Sequence, residues 1–341
     1  MRIFSNFKGI ACALAALVCL ASGKPVGSAE PQRSPARNPL VRVATISLEG
    51  VTAEPGRARL EAAISRLDQA AAFGPDIVCL PECFTRGEPE AVPGATIQRL
   101  SVWAKKHGCY LLCPLLVRDG ERTFNSAVLL DRQGEIVGRY DKIRPTEGEL
   151  EKAICPGVLD PPVFPTDFGL IGVQICFDVN WHAQWRRLRE KGACIIFFPS
   201  AYPAARQLRS HAWRNQCFVV SATLSRAASI YDITGETLCS TGKFQAWTGA
   251  VLPVGKTLFE IDFHISKFRQ IMQKYGDRVQ VEWFHDDDLA TLASLDPDLT
   301  VEDLIKEFAL TPHPAYIERA EETQDDLRPA KENSPQQEPK S

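Results

Sequence analysis

Short apolar runs rich in β-branched residues alternate along this chain with longer segments whose apolar residues recur at every third or fourth position. Residues 41–48 (VRVATISL) and 76–80 (DIVCL) are runs of the first kind and predict strands. Residues 57–73, which lie between them, show the second spacing and predict an amphipathic helix. A strand, a helix and a strand in this order predict a crossover unit with parallel strands, which is typical of an α/β fold.

The same patterns predict further elements of both kinds. Helical spacing returns over residues 95–107, and an apolar run predicts a strand over residues 109–116. Residues 125–131 and 134–140 flank a short polar turn and predict a β-hairpin. Strands and helices therefore keep alternating, as an α/β domain requires.

Residues 170–175 (LIGVQI) predict another short buried strand, which ends at Cys176. A helix is predicted over residues 181–191, with Asp178 and Asn180 as candidate N-capping residues. The thiol of Cys176 would then lie before a helix N-terminus, where backbone N–H groups and the helix dipole favour the nucleophilic thiolate. A cysteine that closes an apolar strand is also often only a packing residue, so position alone does not identify a nucleophile.

Three residues with reactive side chains follow three separate predicted strands. Glu82 follows the strand over residues 76–80, Lys142 follows the hairpin, and Cys176 follows the strand over residues 170–175. Because ligands gather at strand carboxyl ends in open α/β sheets, these side chains are expected to converge. Each alone fits an ordinary surface or core position, but the layout of all three favours a catalytic site.

The motifs around these residues resemble those of the nitrilase superfamily, also called carbon–nitrogen hydrolases. Leu80-Pro81-Glu82 resembles the family's strand-Pro-Glu motif, Tyr140-Asp141-Lys142 its Tyr-x-Lys segment, and Cys176-Phe177-Asp178 its Cys-aromatic-Asp motif. Residues 192–201 (GACIIFFPSA) resemble the next strand and its Pro-Ser-Ala pocket loop. The resemblance covers residues 40–265 and implies a four-layer α-β-β-α sandwich, two sheets between helical layers, to which a C-terminal helical arm is joined.

The resemblance also implies roles for the reactive residues. Cys176 is expected to attack the substrate carbon, with Glu82 as its general base. Lys142, together with the backbone N–H of Phe177, is expected to stabilise the oxyanion. The family has a second glutamate between the lysine and the cysteine, and Glu149 fits by spacing.

Other positions in the matching segments are less closely specified. Glu147 and Glu151 remain alternatives for the second glutamate. The pocket loop implies substrate contacts at Ser200, Ala201 and Tyr202, besides Phe177. After the Cys-aromatic-Asp motif the chain carries residues 179–182 (VNWH) where many relatives have Phe-Pro-Glu, which indicates a pocket of different shape.

The function implied is that of a thiol hydrolase that cleaves linear amide, carbamoyl or nitrile substrates through a thioester on Cys176, with a small molecule as its partner and with neither cofactor nor metal. Acyl transfer to an amine is one alternative, and a catalytically silent binding or assembly protein on the same fold is another. A Cys-His site with His182 or His211 is less favoured, because no thiol-protease signature surrounds Cys176.

The N-terminal segment predicts export. Basic residues, an apolar run and a small-x-small site at Gly27-Ser28-Ala29 make residues 1–29 a predicted signal peptide cleaved near Ala29. An uncleaved membrane anchor is the less favoured alternative, because the apolar run is short for a membrane span. Residues 30–39 are polar and proline-rich, which is typical of a linker. The mature chain is therefore expected to be periplasmic or secreted.

Charge and cysteine content bear on nucleic-acid binding, on disulfide pairing and on zinc binding. The net charge of −3 gives no support for nucleic-acid binding. Of the 11 cysteines, two (Cys12 and Cys19) lie in the predicted signal, which leaves an odd number for disulfide pairing. The remaining cysteines lie mostly in apolar strands, so they are expected to be mostly reduced and buried; the pairs Cys79/Cys83 and Cys109/Cys113 are interpreted as core residues, not zinc ligands.

Residues 266–319 are predicted to form a C-terminal helical extension. A helical stripe from Ile265 ends at Gly276, and Thr300 with Asp303 predicts a capping box for a helix through residue 308. The charged run at residues 285–288 is interpreted as the start of a helix, and residues 320–341 as a disordered tail. Such arms in this family often pack on a neighbouring subunit, so a homo-oligomer, dimer or larger, is predicted; sedimentation as a monomer would contradict it.

Overall fold

The computed structural model of the chain describes residues 40–243 and 245–329. The predicted export signal and linker lie outside the described residues, as do residues 330–341 of the predicted tail. None of the helices that the structure describes combines the length and the apolar composition that crossing a membrane requires.

The described chain contains fifteen strands and eight α-helices. In chain order the strands are β1 (Leu40–Ile46), β2 (Ile77–Cys79), β3 (Tyr110–Asp119), β4 (Arg122–Leu130), β5 (Ile136–Asp141), β6 (Phe164–Thr166), β7 (Gly169–Val173), β8 (Ala193–Ser200), β9 (Phe218–Thr223), β10 (Ser229–Tyr231), β11 (Thr237–Ser240), β12 (Trp247–Pro253), β13 (Thr257–Glu260), β14 (Val279–Phe284) and β15 (Leu289–Ser294). The helices are α1 (Arg57–Ala71), α2 (Ala95–His107), α3 (Glu147–Leu150), α4 (His182–Glu190), α5 (Ala205–Asn215), α6 (Ile265–Tyr275), α7 (Val301–Phe308) and α8 (His313–Leu327).

The strands form two six-stranded sheets and one smaller sheet. The first sheet has the order β12-β1-β2-β3-β4-β5, and the second has the order β11-β10-β9-β8-β7-β6. The neighbours β1, β2 and β3 are parallel, which confirms the predicted crossover unit, and β4 with β5 is the predicted hairpin. Strands β7, β8 and β9 are also parallel, so both sheets have carboxyl ends at which loops can carry functional residues.

Each large sheet is buried on both faces. In β8, Ile195 and Phe197 point into the core between the two sheets, whereas Ile196 and Phe198 point into a second core that includes Trp185 of α4. The other sheet packs in the same way against α1 and α2. Alternate residues of a strand point to opposite faces, so a continuous apolar run serves two cores. The predicted α-β-β-α sandwich is confirmed.

The C-terminal segment contains helices and, in addition, a three-stranded antiparallel sheet of order β13-β15-β14 that the sequence interpretation did not include. The sheet begins at Thr257, before the predicted boundary at residue 266. Its β14 strand alternates Val279, Val281 and Trp283 with polar residues, and these three pack into the core of this segment. Alternation of this kind is typical of a half-buried strand.

The predicted elements of this segment have mixed outcomes. Helix α6 ends before Gly276 as predicted, and the Thr300–Asp303 capping box is present at α7. The charged run at residues 285–288 does not begin a helix; it is the turn between β14 and β15. The tail predicted from residue 320 is wrong as far as Leu327, because α8, which is rich in good helix formers, continues to that residue.

Candidate active site

Three strand ends carry the predicted reactive residues to one place. Glu82 follows β2, Lys142 comes directly after β5, and Cys176 follows β7. Both charged groups are buried, with exposed side-chain fractions of 8% for Glu82 and 1% for Lys142. A buried charge is stable only when it is paired and hydrogen-bonded, so the contacts of these groups decide what the site can do.

The ammonium group of Lys142 lies between two carboxylates. Its Nζ donates to Oε1 of Glu82 at 2.8 Å and to Oε2 of Glu149 at 2.8 Å. Burial acts to lower the pKa of Lys142, but its electrostatic interactions with Glu82, Cys176 and Glu149 and its hydrogen bond to Glu149 outweigh it, so its pKa is raised. The lysine is therefore held as a cation at neutral pH.

Asn125, which the sequence interpretation missed, completes this cluster. Its Nδ2 donates to Oε1 of Glu82 and to Oε1 of Glu149, both at 2.8 Å, and its backbone carbonyl accepts from the N–H of Lys142. Asn125 lies on β4, is almost fully buried and faces the end of β5. Thr123 and Ser126 of the same strand are also polar, so the sequence of β4 does not single Asn125 out; its burial, which requires the amide to find partners, is visible only in the fold.

Glu149 is the second glutamate of the cluster, and its position follows from local structure. Thr146 is the N-cap of α3, and its backbone N–H donates to Oε2 of Glu149 at 2.7 Å in a capping box. Burial acts to raise the pKa of Glu149, but the charge of Lys142 and the hydrogen bonds from Lys142, Asn125 and Thr146 outweigh it, so its pKa is lowered. The other two candidates, Glu147 and Glu151, are exposed.

Cys176 begins a short 3-10 helix, Cys176–Asn180, and has a φ of 45°. A residue with a side chain adopts this left-handed conformation at a cost of roughly 1–2 kcal/mol, and such strain is typical of functional positions. Helix α4 begins only at His182. The predicted stabilisation of a thiolate by the dipole of that helix is therefore wrong.

The thiol of Cys176 is protonated at neutral pH. Burial and the charge of Glu82 raise its pKa to about 12, although Lys142 and hydrogen bonds from Ser200 and the backbone of Ala201 act to lower it. Both charges act on the thiol, so the sulfur lies within the electrostatic range of Glu82 and Lys142. A thiol in this state needs a base at the moment it attacks.

Asp178 was predicted as a candidate N-cap of α4, and this prediction is wrong. Asp178 instead connects the loop that carries Cys176 to the loop that carries Lys142. Its Oδ2 accepts from the N–H of Ile175 at 2.9 Å and from the hydroxyl of Tyr140 at 2.8 Å, and its Oδ1 accepts from the N–H of Arg144 at 2.8 Å. Burial raises the pKa of Asp178 to about 6, although these hydrogen bonds act to lower it. The N-cap of α4 is Trp181, which makes no side-chain capping bond.

Two of the predicted substrate-binding residues, Ser200 and Ala201, make hydrogen bonds to the thiol of Cys176. Ser200 is fully buried, and its hydroxyl also accepts from the N–H of Tyr202 at 3.1 Å. Burial raises the pKa of Tyr202, and electrostatic interactions with Cys176 and Glu82 add to this effect. Phe177 packs edge-to-face on Trp181, with ring centroids 5.3 Å apart.

Two histidines and a second thiol near the site have other contacts. His182 and His211 stack on each other, and Nε2 of His211 is 2.8 Å from the carbonyl of Val179, whereas no hydrogen bond joins either ring to Cys176 in the described chain. The interpretation of Cys83 as a core residue is wrong. Its thiol donates to Oδ1 of Asn125 at 3.4 Å.

The remaining predictions about cysteines and metals concern the rest of the described chain. All nine cysteines among residues 40–243 and 245–329 are free, and five of them are buried. Within the same ranges, no three His, Cys, Asp or Glu side chains form a group that could hold a metal ion.

The chain is similar to known proteins over much of its length. The family model described as "Carbon-nitrogen hydrolase" matches residues 42–250. The chain is 32% identical to the β-ureidopropionase of Arabidopsis thaliana over 153 residues, which are 40% of this chain and 38% of that protein. It is 27% identical to the human omega-amidase NIT2 over 254 residues, or 64% of this chain and 90% of that protein. The chain thus spans well under two thirds of the plant relative's length.

Solved structures share the fold. The crystal structure of Saccharomyces cerevisiae Nit3, described as a member of branch 10 of the nitrilase superfamily, has 22% sequence identity and a TM-score of 0.56. The match covers 67% of this chain and 93% of Nit3.

Proposed function

The chain belongs to the carbon–nitrogen hydrolase family, or nitrilase superfamily, and we propose that it is a thiol hydrolase of linear amides that works through a thioester on Cys176. The observation that carries the proposal is the bridge that the Lys142 ammonium makes between Glu82 and Glu149, beside a thiol whose pKa is about 12. A protonated nucleophile, a carboxylate base and a fixed cation are the three components that acyl transfer requires.

Formation of the thioester begins with proton transfer from Cys176 to Glu82. The sulfur attacks the amide carbon, and the electron pair of the C=O double bond moves to oxygen. Lys142 and the backbone N–H of Phe177 stabilise the oxyanion. When the electron pair returns, the C–N bond breaks, Glu82 gives its proton to the nitrogen, and ammonia leaves.

Hydrolysis of the thioester uses the same groups again. Glu82 takes a proton from water, the hydroxide attacks the thioester carbon, and the S–C bond breaks to release the carboxylic acid. The sulfur leaves as a thiolate and recovers its proton from Glu82. Glu149 takes no proton in this scheme; it holds Lys142 in place, since its carboxylate is anchored by Thr146.

Ammonia release from a panel of small amides, ureido acids and nitriles tests this proposal. Glu82→Gln removes the base and is expected to lower kcat/KM about 10²–10⁴-fold. Lys142→Met removes an oxyanion donor and is expected to lower kcat about 10²–10³-fold. Cys176→Ala is expected to abolish turnover. The matched controls are Glu151→Gln and Cys155→Ala, which change side chains outside the cluster.

The covalent intermediate gives an independent readout. Rapid quenching followed by mass spectrometry of the intact chain is expected to show an acyl adduct on Cys176 that hydroxylamine removes. An adduct that passes to added amines faster than to water would replace hydrolysis by acyl transfer. No turnover of any panel member, together with equal labelling of Cys176 in wild type and Glu82→Gln by an electrophile, would favour a catalytically silent fold.

A further inference from the structure

A groove of about 890 Å³ runs beside the reactive cluster. Its walls include Phe177, which directly follows Cys176, and Arg144, which is the second residue after Lys142. Leu150 and Leu159 also line it and have exposed fractions of 49% and 64%, so its apolar surface is not filled by the described chain. A groove with these walls suits the hydrocarbon chain of a substrate whose amide lies at Cys176.

Arg144 is the cation among the described residues that line this groove, and none of them gives its side chain a hydrogen-bond partner. Its Nε is buried without a hydrogen bond, and its guanidinium carbon lies 5.0 Å from the ring centroid of Trp181. Among the described residues Arg144 forms no ion pair, whereas Arg132 and Arg139 each bridge two carboxylates. A buried donor without an acceptor is rare in proteins and needs an explanation.

The position of Arg144 is fixed by the same contacts that build the site. Its backbone N–H donates to Asp178, and Arg144 is the second residue after Lys142 in the chain. Trp181 covers one face of the guanidinium, which restricts its rotation and leaves its edge free to donate. Glu147 also lines the groove, but it is exposed and makes no ion pair with Arg144. The guanidinium is therefore available to a ligand.

We propose that Arg144 binds a carboxylate at the far end of the substrate, so that the preferred substrates are linear amides or ureido compounds that carry a free carboxylate. The planar guanidinium matches the geometry of a carboxylate, and a charge-assisted pair in a partly buried groove is among the stronger hydrogen-bonded contacts. This inference rests on the proposed function, because the groove is a substrate site only if Cys176 acts on an amide.

Paired substrates test the assignment. Succinamate, glutaramate and adipamate present a carboxylate at graded distances from the amide, and butanamide, pentanamide and hexanamide carry a methyl group in its place. For the carboxylate of best-fitting length, wild type is expected to have the higher kcat/KM. Arg144→Gln is expected to lower the ratio of charged to neutral kcat/KM by about tenfold or more, mainly through KM, and Arg144→Lys to retain part of it. The control is Arg186→Gln, an exposed arginine of α4 outside the groove.

Calorimetric titration with glutarate separates failure of this inference from failure of the proposed function. Weaker glutarate binding by Arg144→Gln than by wild type supports the carboxylate site, even if no amide is turned over, in which case the proposed function fails alone. Amide turnover without preference for the charged substrates, or a preference that Arg144→Gln keeps, overturns the inference and leaves the proposed function standing. Equal glutarate binding by both proteins also overturns it.

Discussion

Replacing Lys142 by Met gives the most direct test of the charge cluster. The side chain keeps a similar length, but its ammonium is removed from between Glu82 and Glu149, which it contacts at 2.8 Å each. Removing one partner of a buried ion pair costs about 3–5 kcal/mol of unfolding free energy. Because the Glu149 side chain is 22% exposed and Asn125 still donates to both carboxylates, we expect a loss of about 3 kcal/mol for Lys142→Met.

The loss should depend on pH in a defined direction. The pKa of Glu149 is lowered in the folded protein, so its contribution to stability is present above its unfolded pKa and is lost as the pH falls through its folded pKa. In Lys142→Met, two facing carboxylates raise the pKa of one of them, which penalises the folded state once both are ionised. The difference in stability between wild type and variant is therefore expected to grow from pH ~4 to pH ~8. The pKa of Lys142 is raised in the folded protein, so the stability that its ammonium group contributes is lost only above pH ~10.

Urea unfolding followed by circular dichroism measures this effect in a double-mutant cycle. Glu82→Gln removes one of the two charges, so Lys142→Met combined with Glu82→Gln is expected to recover about 1–2 kcal/mol relative to the sum of the single changes. The control is Lys152→Met, an exposed lysine of the same loop, for which a change within about 0.5 kcal/mol is expected. A Lys142→Met protein as stable as this control, or a double variant that equals the sum of its parts, would refute the mutual dependence of the three charges.

Three further predictions concern the same site. Alkylation of Cys176 by iodoacetamide at neutral pH, followed by peptide mass spectrometry, is expected to be at least about tenfold slower in Glu82→Gln than in wild type, because a thiol whose pKa is about 12 needs the carboxylate as its base; equal rates in the two proteins would contradict this. Asn125→Leu removes two hydrogen bonds to carboxylates and is expected to lower the unfolding free energy by about 2 kcal/mol or more and kcat/KM at least about tenfold; unchanged values would assign no role to that amide. Asp178→Asn removes a group whose pKa is about 6, so the fall in kcat/KM as wild type is acidified through pH ~6 should be absent from the less active variant; an identical acid limb in both proteins would place that titration elsewhere.

Local patterns predicted the elements that local interactions determine. Helix α2 has the bounds predicted from its spacing, and the capping box at Thr300 lies where the Thr-x-x-Asp pattern indicated. The same pattern, Thr146 followed by Glu149, singles out Glu149 from its neighbours Glu147 and Glu151, because only Glu149 lies at the capping-box position. Interactions within one turn of a helix can be predicted from neighbouring residues, because they do not depend on how distant segments pack.

The parts that were missed depend on pairing between distant segments. Asn125 reaches Glu82 only because β4 pairs with β3, and β3 with β2, each in one register that a single sequence does not specify. The positive φ of Cys176 is imposed by its surroundings, since no glycine marks the turn. Strand β14 alternates visibly, yet without a partner strand the alternation is weak evidence for a sheet.

One buried carboxylate links the geometry of the nucleophile to that of the cation. Asp178 holds Ile175, directly before Cys176, and Arg144, shortly after Lys142, with hydrogen bonds of 2.9 and 2.8 Å. Burial raises its pKa to about 6, so the folded protein retains an ionised group at neutral pH at a cost to its stability. An apolar residue would avoid that cost but would leave two backbone N–H groups without partners and the two loops free to separate. The proposed acyl transfer would lose rate steeply if reacting groups shifted by about 1 Å, so we expect a charge that costs stability to be kept where it holds the loops of Cys176 and Lys142 together.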